Sequence, residues 1–277
     1  MTQFLFLYGG GPTPTDLAQA CRDLHLPAGS LRSLGRAHLP DLAPAWVRVA
    51  GGPIQLAAVP SPAGALPGLL LQVTAATAAN LASHADLQWT EHPALSDDGR
   101  VVWAWTAQVG PPMATAQPDP QQLRSAQNFL KAWNIDSEPV VLAAADRPVP
   151  ALCDVFAYGT LRLGEPNAPL LEPATAEPGY MNGKLWSLGA YPVLTPAAEP
   201  ARVVGEVRHC RDLPERLQKL DELEDFTGYH PQSMYWRVLG RVHTGGGDRL
   251  AWLWQMNEVP PGAVAIPSGD WRDRQVP

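Results

Sequence analysis

Short apolar runs rich in β-branched and aromatic residues recur along this chain, and each ends at glycine, proline or a polar cluster. This pattern is typical of buried β-strands. In the first half it predicts strands over residues 3–8, 46–49, 54–59, 69–73 and 101–106. Helical spacing and an alanine-rich stretch predict helices over residues 14–24 and 75–87. The first half therefore combines strands with few helices, as in a small α+β domain.

The second half is organised around the stretch Tyr158-Gly159-Thr160-Leu161-Arg162, which directly follows an apolar run that predicts a buried strand. A glycine at a strand end lets the backbone turn sharply and approach a ligand. Successive backbone N–H groups in such a tight turn can converge on a carboxylate or phosphate. The stretch therefore predicts an anion-binding turn, with an ordinary strand end as the alternative.

A second feature is an amphipathic helix whose end is crowded with carboxylates. Leucines recur at helical spacing from Leu213 to Leu223, which predicts a helix that begins near Pro214. Four acidic residues lie at its carboxyl end: Asp221, Glu222, Glu224 and Asp225. Negative charge at that end opposes the helix dipole. A local preference violated in this way points to a functional role for the helix end.

Taken in order, the motifs of the second half resemble those of the gamma-glutamylcyclotransferase-like family. They are YGTLR-x-G-x-x-N at 158–167, G-x-L and G-x-YP within 183–192, VGEV at 204–207, LD-x-x-E at 220–224 and Y-x-R at 235–237. Each motif is weak by itself, and the ordered set is fairly specific. The opening motif is most similar to that of the branch that acts on gamma-glutamylamines.

The resemblance implies an enzyme that releases 5-oxoproline from a gamma-glutamyl amine or peptide without a metal or other cofactor. The substrate's own α-amine would attack its γ-carbonyl, with Glu224 as general acid and base. Six further residues are expected to bind the substrate: Tyr158, Gly159, Thr160, Leu161, Tyr191 and Tyr235. Tyr191 is equally consistent with a role as an aromatic residue of the core. Arg237 is more consistent with a structural ion pair than with substrate binding.

Four pieces of the first half match the second half in the same order, which favours an internal duplication over a chance likeness of two α+β domains. Tyr8-Gly9 matches Tyr158-Gly159, and residues 67–70, 81–88 and 102–105 match 204–207, 217–224 and 250–254. In this alignment Gln88 stands at the position of Glu224. Because an amide cannot serve as a carboxylate base, the first half is predicted to be a degenerate copy without the reaction.

These observations predict an α+β protein of two tandem gamma-glutamylcyclotransferase-like mixed β-barrels with flanking helices. The predicted domains are a degenerate barrel over 1–112, a linker with a helix over 113–152 and a catalytic barrel over 153–277. Within the linker, Asp119 is predicted to cap a helix over residues 120–133, and residues 140–142 resemble a short strand. The expected assembly is a monomer of two pseudo-symmetric domains.

Composition restricts the partners. The 277-residue chain is 45% hydrophobic, which is ample for buried cores, and its net charge of −7 argues against nucleic acid and anionic membranes. No apolar run is long enough to span a bilayer, and the apolar start lacks the basic flank of a signal peptide. Cys21, Cys153 and Cys210 lack metal-ligand spacing, which indicates reduced thiols in a cytoplasmic protein. The small-molecule gamma-glutamyl substrate is what the family resemblance implies.

Two other functions stay open. One is a non-catalytic module of the same fold that binds a small molecule or carboxylate. The other is a related domain with a different acyl-transfer or amide-cleaving role. Residues 227–234 lie between Glu224 and Tyr235 and are expected to border the pocket, so the motifs leave the identity of the leaving amine open.

Overall fold

The computed structural model describes residues 2–23, 29–48, 52–82, 88–108, 114–197 and 199–274. The chain divides into two compact units. The first comprises Met1–Leu95 and Val101–Ala151, and the second comprises Ser96–Arg100 and Leu152–Pro277. Each unit is built around its own closed barrel of five strands, so the predicted fold of two mixed β-barrels in tandem is confirmed.

The first unit contains six strands and four helices in its described part. They are β1 (Thr2–Leu7), α1 (Leu17–Asp23), β2 (Leu31–Arg48), β3 (Ile54–Thr74), α2 (Ala75–Ala82), β4 (Gln88–Ser96), β5 (Val101–Gln108), β6 (Ala114–Thr115), α3 (Pro120–Ala132) and α4 (Glu138–Ala144). The order β3-β1-β5-β4-β2 closes into a ring because β2 also pairs with β3. The runs predicted at 54–59 and 69–73 are parts of the single long strand β3.

Helices α3 and α4 pack in the core of the first unit, although their segment was expected to be a linker. The predicted cap is confirmed, since the Asp119 carboxylate accepts hydrogen bonds at the start of α3. Phe129 and Val140 belong to the same buried cluster as Trp46. The strand predicted at 140–142 is wrong because Pro139 favours a helix start and burial of Val140 outweighs its strand propensity.

The second unit contains the remaining strands, one α-helix and two short 3-10 turns. They are β7 (Asp154–Ala157), β8 (Thr175–Asn182), β9 (Lys184–Ser187), β10 (Pro192–Thr195), β11 (Arg202–His209), α5 (Leu213–Leu223), β12 (Trp236–Thr244), β13 (Gly247–Gln255) and β14 (Val264–Ala265), with 3-10 turns at Ala168–Leu171 and Trp271–Asp273. The barrel closes in the order β11-β7-β13-β12-β8, and β10, β9 and β14 form a separate sheet. The predicted helix at α5 is confirmed.

The two barrels share one circular strand order, in which β3, β1, β5, β4 and β2 correspond to β11, β7, β13, β12 and β8. Two glycines mark the same position in this order. A Cβ atom on Gly68 would lie 2.4 Å from the carbonyl oxygen of Leu7, and one on Gly205 would lie 2.4 Å from that of Ala157. Each glycine is therefore required by the close approach of the neighbouring strand.

A tyrosine occupies equivalent places at the ends of β1 and β7. The Tyr8 hydroxyl donates to the Ala107 carbonyl, and the Tyr158 hydroxyl donates to the Trp254 carbonyl. Tyr8 and Tyr158 also stack on the aromatic ring two residues before them, at centroid distances of 6.4 and 6.2 Å. The pairing of Tyr8 with Tyr158 that the sequence comparison predicts agrees with these contacts.

Gln88 is not the counterpart of Glu224, so that part of the comparison is wrong. Gln88 is the first residue of β4 and pairs with Gln108, whereas Glu224 directly follows helix α5. The comparison placed Gln88 at the end of a predicted helix, whereas it begins a strand. Residues 83–87, which the predicted helix over 75–87 and the match of 81–88 with 217–224 include, lie outside the described part.

Candidate active site

A cavity of about 270 Å³ opens beside the turn that follows β7. Residues from the turn, the loop before β10, the end of α5 and the start of β12 line it. All seven residues predicted for the site are among them: Tyr158, Gly159, Thr160, Leu161, Tyr191, Glu224 and Tyr235. The barrel therefore brings together segments that are far apart in the chain.

The turn after β7 is fixed by close packing and by hydrogen bonds. A Cβ atom on Gly159 would lie 2.1 Å from Cγ of Pro192, so only glycine fits beneath that proline. Arg162 donates its backbone N–H to the Gly159 carbonyl at 3.0 Å. Asn167 donates its backbone N–H to the Thr160 carbonyl at 2.9 Å and its side-chain amide to the Thr160 hydroxyl at 3.1 Å. These bonds hold the turn against the cavity.

Three successive backbone N–H groups of this turn are unpaired. Among the described residues, no acceptor takes the N–H of Gly159, Thr160 or Leu161. All three residues line the cavity. Consecutive amides of this kind are suited to a carboxylate or another anion.

Buried charges support the turn from outside the cavity. The Arg162 guanidinium lies 2.5 Å from the Asp270 carboxylate, and only 5% of the Arg162 side chain is exposed. The Glu206 carboxylate accepts the Leu163 backbone N–H at 2.5 Å, and the fully buried Arg208 donates to the Leu161 carbonyl at 3.3 Å. The turn is thus anchored on β11 and on the last described segment of the chain.

The end of helix α5 is built to place Glu224. Phe226 donates its N–H to the Asp221 carbonyl at 2.8 Å, and Asp225 donates its N–H to the Glu222 carbonyl at 3.3 Å. This is a Schellman motif, in which Asp225 has a left-handed φ of 49°. The motif satisfies the last helical carbonyls and ends the helix at Leu223. The next residue, Glu224, lines the cavity.

Glu224 is partly buried in this cavity, and its pKa is strongly shifted. Burial removes the carboxylate from water, and the nearby Asp221 adds like-charge repulsion, so the pKa of Glu224 rises to about 8. Asp221 is held by two donors, Arg237 Nη1 at 2.7 Å and the Trp254 indole N–H at 2.9 Å. The prediction that Arg237 is an ion-pair partner is therefore confirmed.

Two tyrosines complete the inner wall as neutral phenols. Burial and the neighbouring Glu224 raise the pKa of both Tyr158 and Tyr235. Tyr235 donates its hydroxyl to the Pro192 carbonyl at 2.5 Å, and Tyr158 donates to the Trp254 carbonyl at 2.6 Å. Because each hydroxyl proton is engaged by a backbone carbonyl, the phenol groups can only accept from a bound molecule, and the Tyr158 oxygen already accepts from the Leu194 backbone N–H.

The outer wall is apolar and exposed. Tyr191, which fitted a core aromatic equally well in the sequence, is 39% exposed and lines the mouth of the cavity. Met234 also lines it, so the segment 227–234 contributes to the pocket as expected. The sequence patterns did not indicate Trp254 or the Asp270 partner of Arg162. An arginine within a tight turn was the one available signal for such a partner.

The fold and its cavity define a mixed β-barrel protein with a buried carboxylate beside a turn of unpaired N–H groups. Residues 155–273 match a family model described as gamma-glutamyl cyclotransferase, AIG2-like. The chain is 32% identical over 108 residues to a gamma-L-glutamyl-butirosin B gamma-glutamyl cyclotransferase of Niallia circulans. That alignment covers 38% of this chain and 67% of the relative. The chain therefore belongs to the gamma-glutamyl cyclotransferase family.

Two solved structures are among those similar to this chain. The ytfP protein of Escherichia coli, known from a solution structure, is 31% identical to this chain, with a TM-score of 0.33. The match covers 43% of this chain and 96% of the ytfP chain. The crystal structure of YkqA from Bacillus subtilis is 13% identical and covers 94% of this chain and 88% of its own, with a TM-score of 0.35.

Neither a metal site nor a membrane-spanning helix is found in the described part of the chain. No group of three or more histidine, cysteine, aspartate or glutamate side chains there is arranged to hold a metal ion. The helices described are all too short or too polar to cross a bilayer.

Proposed function

We propose that the second unit is a cyclotransferase that releases 5-oxoproline from a gamma-glutamyl amine or peptide. One observation carries this proposal. Glu224, whose pKa is raised to about 8, lines the same cavity as the three unpaired N–H groups of the turn. A gamma-glutamyl group needs both features, because its α-carboxylate requires donors and its α-amine requires a base.

The unpaired N–H groups and Glu224 support one orientation of the substrate in this proposal. The α-carboxylate lies against the N–H groups of Gly159, Thr160 and Leu161. These groups have no acceptor among the described residues and can therefore donate to it. The α-amine lies toward Glu224 and the phenol oxygens of Tyr158 and Tyr235. The γ-carbonyl then folds back toward the amine inside the cavity.

The reaction follows from this placement. Glu224 takes a proton from the attacking amine as the bond between the amine nitrogen and the γ-carbon forms. It returns that proton to the leaving nitrogen as the bond between that nitrogen and the γ-carbon breaks. The products are 5-oxoproline and the free amine. A carboxyl group with a pKa near 8 exchanges protons readily in both directions near neutral pH.

Because the ring closes within one molecule, the protein has to provide less of the catalytic acceleration. A five-membered ring forms from groups already joined by the substrate chain, so holding the chain in a folded conformation provides much of the acceleration. The turn and the tyrosines provide that hold, and no step requires a cofactor. The cytoplasmic location and the monomeric arrangement of two pseudo-symmetric domains stay predictions.

For the first unit we propose a copy of the same fold that lacks the reaction. At the counterpart of the turn, the glycines are packed by apolar side chains. A Cβ atom on Gly9 would lie 2.3 Å from Leu56 Cδ2, and one on Gly11 would lie 3.1 Å from Phe129 of α3. In the second unit the corresponding Gly159 is packed by Pro192, and Thr160 and Leu161 stand where the first unit has Gly10 and Gly11.

The test is a screen for 5-oxoproline release with gamma-glutamyl amines, gamma-glutamyl dipeptides and glutathione. Release from at least one compound, lost on Glu224→Gln, supports the proposal. Binding of these compounds without any release would instead show the non-catalytic module. Hydrolysis to free glutamate without 5-oxoproline would show a different amide-cleaving role.

A further inference from the structure

The turn between β4 and β5, Ser96–Arg100, belongs to the second unit. Strand β5 and all of β4 except Ser96 belong to the first unit. Within the turn, Gly99 donates its N–H to the Ser96 carbonyl at 3.1 Å, and Ser96 donates its N–H to the Arg100 carbonyl at 3.0 Å. Gly99 has a left-handed φ of 81°, which glycine adopts without strain. The turn therefore has a defined shape that presents particular groups to the second barrel.

One part of the turn lies against the edge of β12. In the described part of the chain, β12 pairs with β8 only through its last two residues. Earlier in β12, Arg241 donates its backbone N–H to the Asp97 carbonyl at 2.8 Å, and its guanidinium pairs with the Asp97 carboxylate. Asp98 also forms a β-bridge with Gly240. The turn thus satisfies backbone groups of a strand edge that the barrel leaves partly open.

A second part of the turn contacts Gln255, the last residue of β13. The side-chain amide of Gln255 donates to the Gly99 carbonyl at 2.7 Å, and Gln255 is only 1% exposed. A Cβ atom on Gly99 would lie 2.6 Å from Oε1 of Gln255, and among the described residues no donor pairs with that oxygen. Because a buried amide is costly to leave unpaired, the contact with Gly99 fixes the Gln255 side chain.

The neighbour of Gln255 belongs to the active site. Trp254 lines the cavity, and successive side chains of a strand point to opposite faces. On one face the Trp254 indole N–H donates to Asp221 at 2.9 Å, while on the other face Gln255 reaches the turn. The Trp254 carbonyl accepts the Tyr158 hydroxyl at 2.6 Å. The end of β13 is therefore held on both faces, and its position affects two groups that lie near Glu224.

We propose that Gly99 and Gln255 are positioning residues of the active site. The turn holds the end of β13, and the end of β13 in turn holds Trp254 and its partners around Glu224. A segment from the first half of the sequence thereby acquires a role in the reaction of the second unit. The expected effects on turnover rest on the proposed function, whereas the expected effects on the structure do not.

The first experiment compares two glycine substitutions at similar backbone angles. Gly99→Ala places a methyl group 2.6 Å from Gln255 Oε1, whereas Gly262→Ala, at a φ of 83°, meets nothing within 4 Å. Because Trp254 lies on the Glu224 side of the cavity, we expect Gly99→Ala to lower kcat for 5-oxoproline release by at least about tenfold and to change KM by less than about threefold. Gly262→Ala should leave both constants within about twofold of the parent protein.

Thermal melting of both variants shows that each is folded at the assay temperature. Rates are measured with the compound that gives the fastest release in the screen. An equal loss of kcat in Gly99→Ala and Gly262→Ala would overturn the proposal, since backbone strain alone would then explain it. Unchanged kcat in Gly99→Ala would overturn it as well.

A second variant tests whether the two residues act through one contact. Gln255→Met keeps the approximate length of the buried side chain and removes its donor, so kcat should fall by at least about tenfold. The double variant Gly99→Ala/Gln255→Met should have the same kcat as Gln255→Met within about threefold, because each single substitution already removes the contact. A double variant whose loss is the product of the two single losses would show that Gly99 and Gln255 act independently and would refute the proposal.

Hydrogen exchange separates this proposal from the proposed function. The backbone amides of residues 252–256 should exchange at least about fivefold faster in Gly99→Ala than in the parent protein, and at the parent rate in Gly262→Ala. If the parent releases no 5-oxoproline but this difference is observed, the proposed reaction fails and the support of the cavity wall by the turn stands. If exchange in this segment is unchanged, the turn does not hold the end of β13, and the proposal is wrong whatever the turnover shows.

Discussion

Asp221 raises the pKa of Glu224 while its own charge is held by Arg237 at 2.7 Å and by the Trp254 indole at 2.9 Å. The two carboxylates stand three residues apart, on adjacent turns at the end of α5. Two donors hold the Asp221 carboxylate. The Glu224 carboxylate is partly buried and is not bonded to these donors. This division explains why a helix end carries acidic residues against its dipole: one is structural and the other is available for proton transfer.

The first prediction concerns Glu224 itself. Glu224→Gln keeps the size of the side chain and removes its ability to accept a proton, so 5-oxoproline release should fall by about 10²- to 10⁴-fold. Glu222→Gln is the matched control, because Glu222 is exposed and its carboxylate accepts a hydrogen bond from Gln218 on its own helix. The rates of both variants are measured by 5-oxoproline release and their folding by thermal melting. Near-normal release by Glu224→Gln would refute the assignment.

The raised pKa of Glu224 also predicts how stability depends on pH. Between its ordinary value of 4.5 and about 8, this carboxyl is protonated when folded and ionised when unfolded. The folded state then binds more protons, so this group lowers stability as pH rises through that window and adds no further change above it. The loss amounts to at most about 1.4 kcal/mol for each pH unit.

Removing the carboxyl should remove this dependence. The free energy of unfolding of Glu224→Gln should exceed that of the parent protein by an amount that grows from pH 5 to pH 8 and is then constant. Urea unfolding at four pH values between 5 and 9 measures the difference. A difference that stays flat across this range would mean that Glu224 titrates near its ordinary pKa.

Local sequence patterns predict much of the fold and of this site. The features that they do not predict depend on contacts between residues far apart in the chain. The strand before Gly159 and the helix before Glu224 are visible in short windows because apolar spacing reports local structure. The partner of Arg162 is Asp270, 108 residues away, and no periodic signal marks such a pair. Gln88 was misplaced for a related reason, since its pairing with Gln108 in the sheet is a contact that a local helical pattern does not contain.

The turn supplies the third prediction. Gly159→Ala places a methyl group 2.1 Å from Pro192 Cγ, so the turn or the proline must move. The N–H groups then lose their alignment, and KM should rise by at least tenfold. Gly245→Ala is the control, since a Cβ atom there meets nothing within 4 Å and Gly245 has no left-handed φ. Equal kinetics for the two variants would show that the turn does not contact the substrate.

The fourth prediction concerns the ion pair that supports the turn. Asp270→Asn leaves the Arg162 guanidinium, 5% exposed, without its counter-charge and should destabilise the protein by about 2 kcal/mol. Because Arg162 belongs to the turn, KM should rise more than kcat falls. Asp273→Asn, an exposed substitution in the same segment, should change neither quantity. A loss of stability with unchanged KM would limit Asp270 to a structural role.

The last prediction uses the correspondence between the two barrels. Tyr8 and Tyr158 end equivalent strands, and each donates its hydroxyl to a carbonyl of the equivalent strand, Ala107 at 3.2 Å and Trp254 at 2.6 Å. Tyr8→Phe and Tyr158→Phe each delete one such hydrogen bond. Each should therefore lower stability by about 1 kcal/mol.

Their effects on turnover should differ. Burial, with smaller contributions from Tyr235 and Glu224, raises the pKa of Tyr158, whereas burial raises the pKa of Tyr8 to about 12 with no contribution from a carboxylate. If the first barrel lacks the reaction, Tyr8→Phe leaves 5-oxoproline release unchanged, and Tyr158→Phe reduces it by about tenfold or more. Thermal melting and steady-state kinetics on both variants provide the comparison. A similar loss of activity in the two variants would show that the first barrel also contributes to turnover, and the proposal of a silent copy would be wrong.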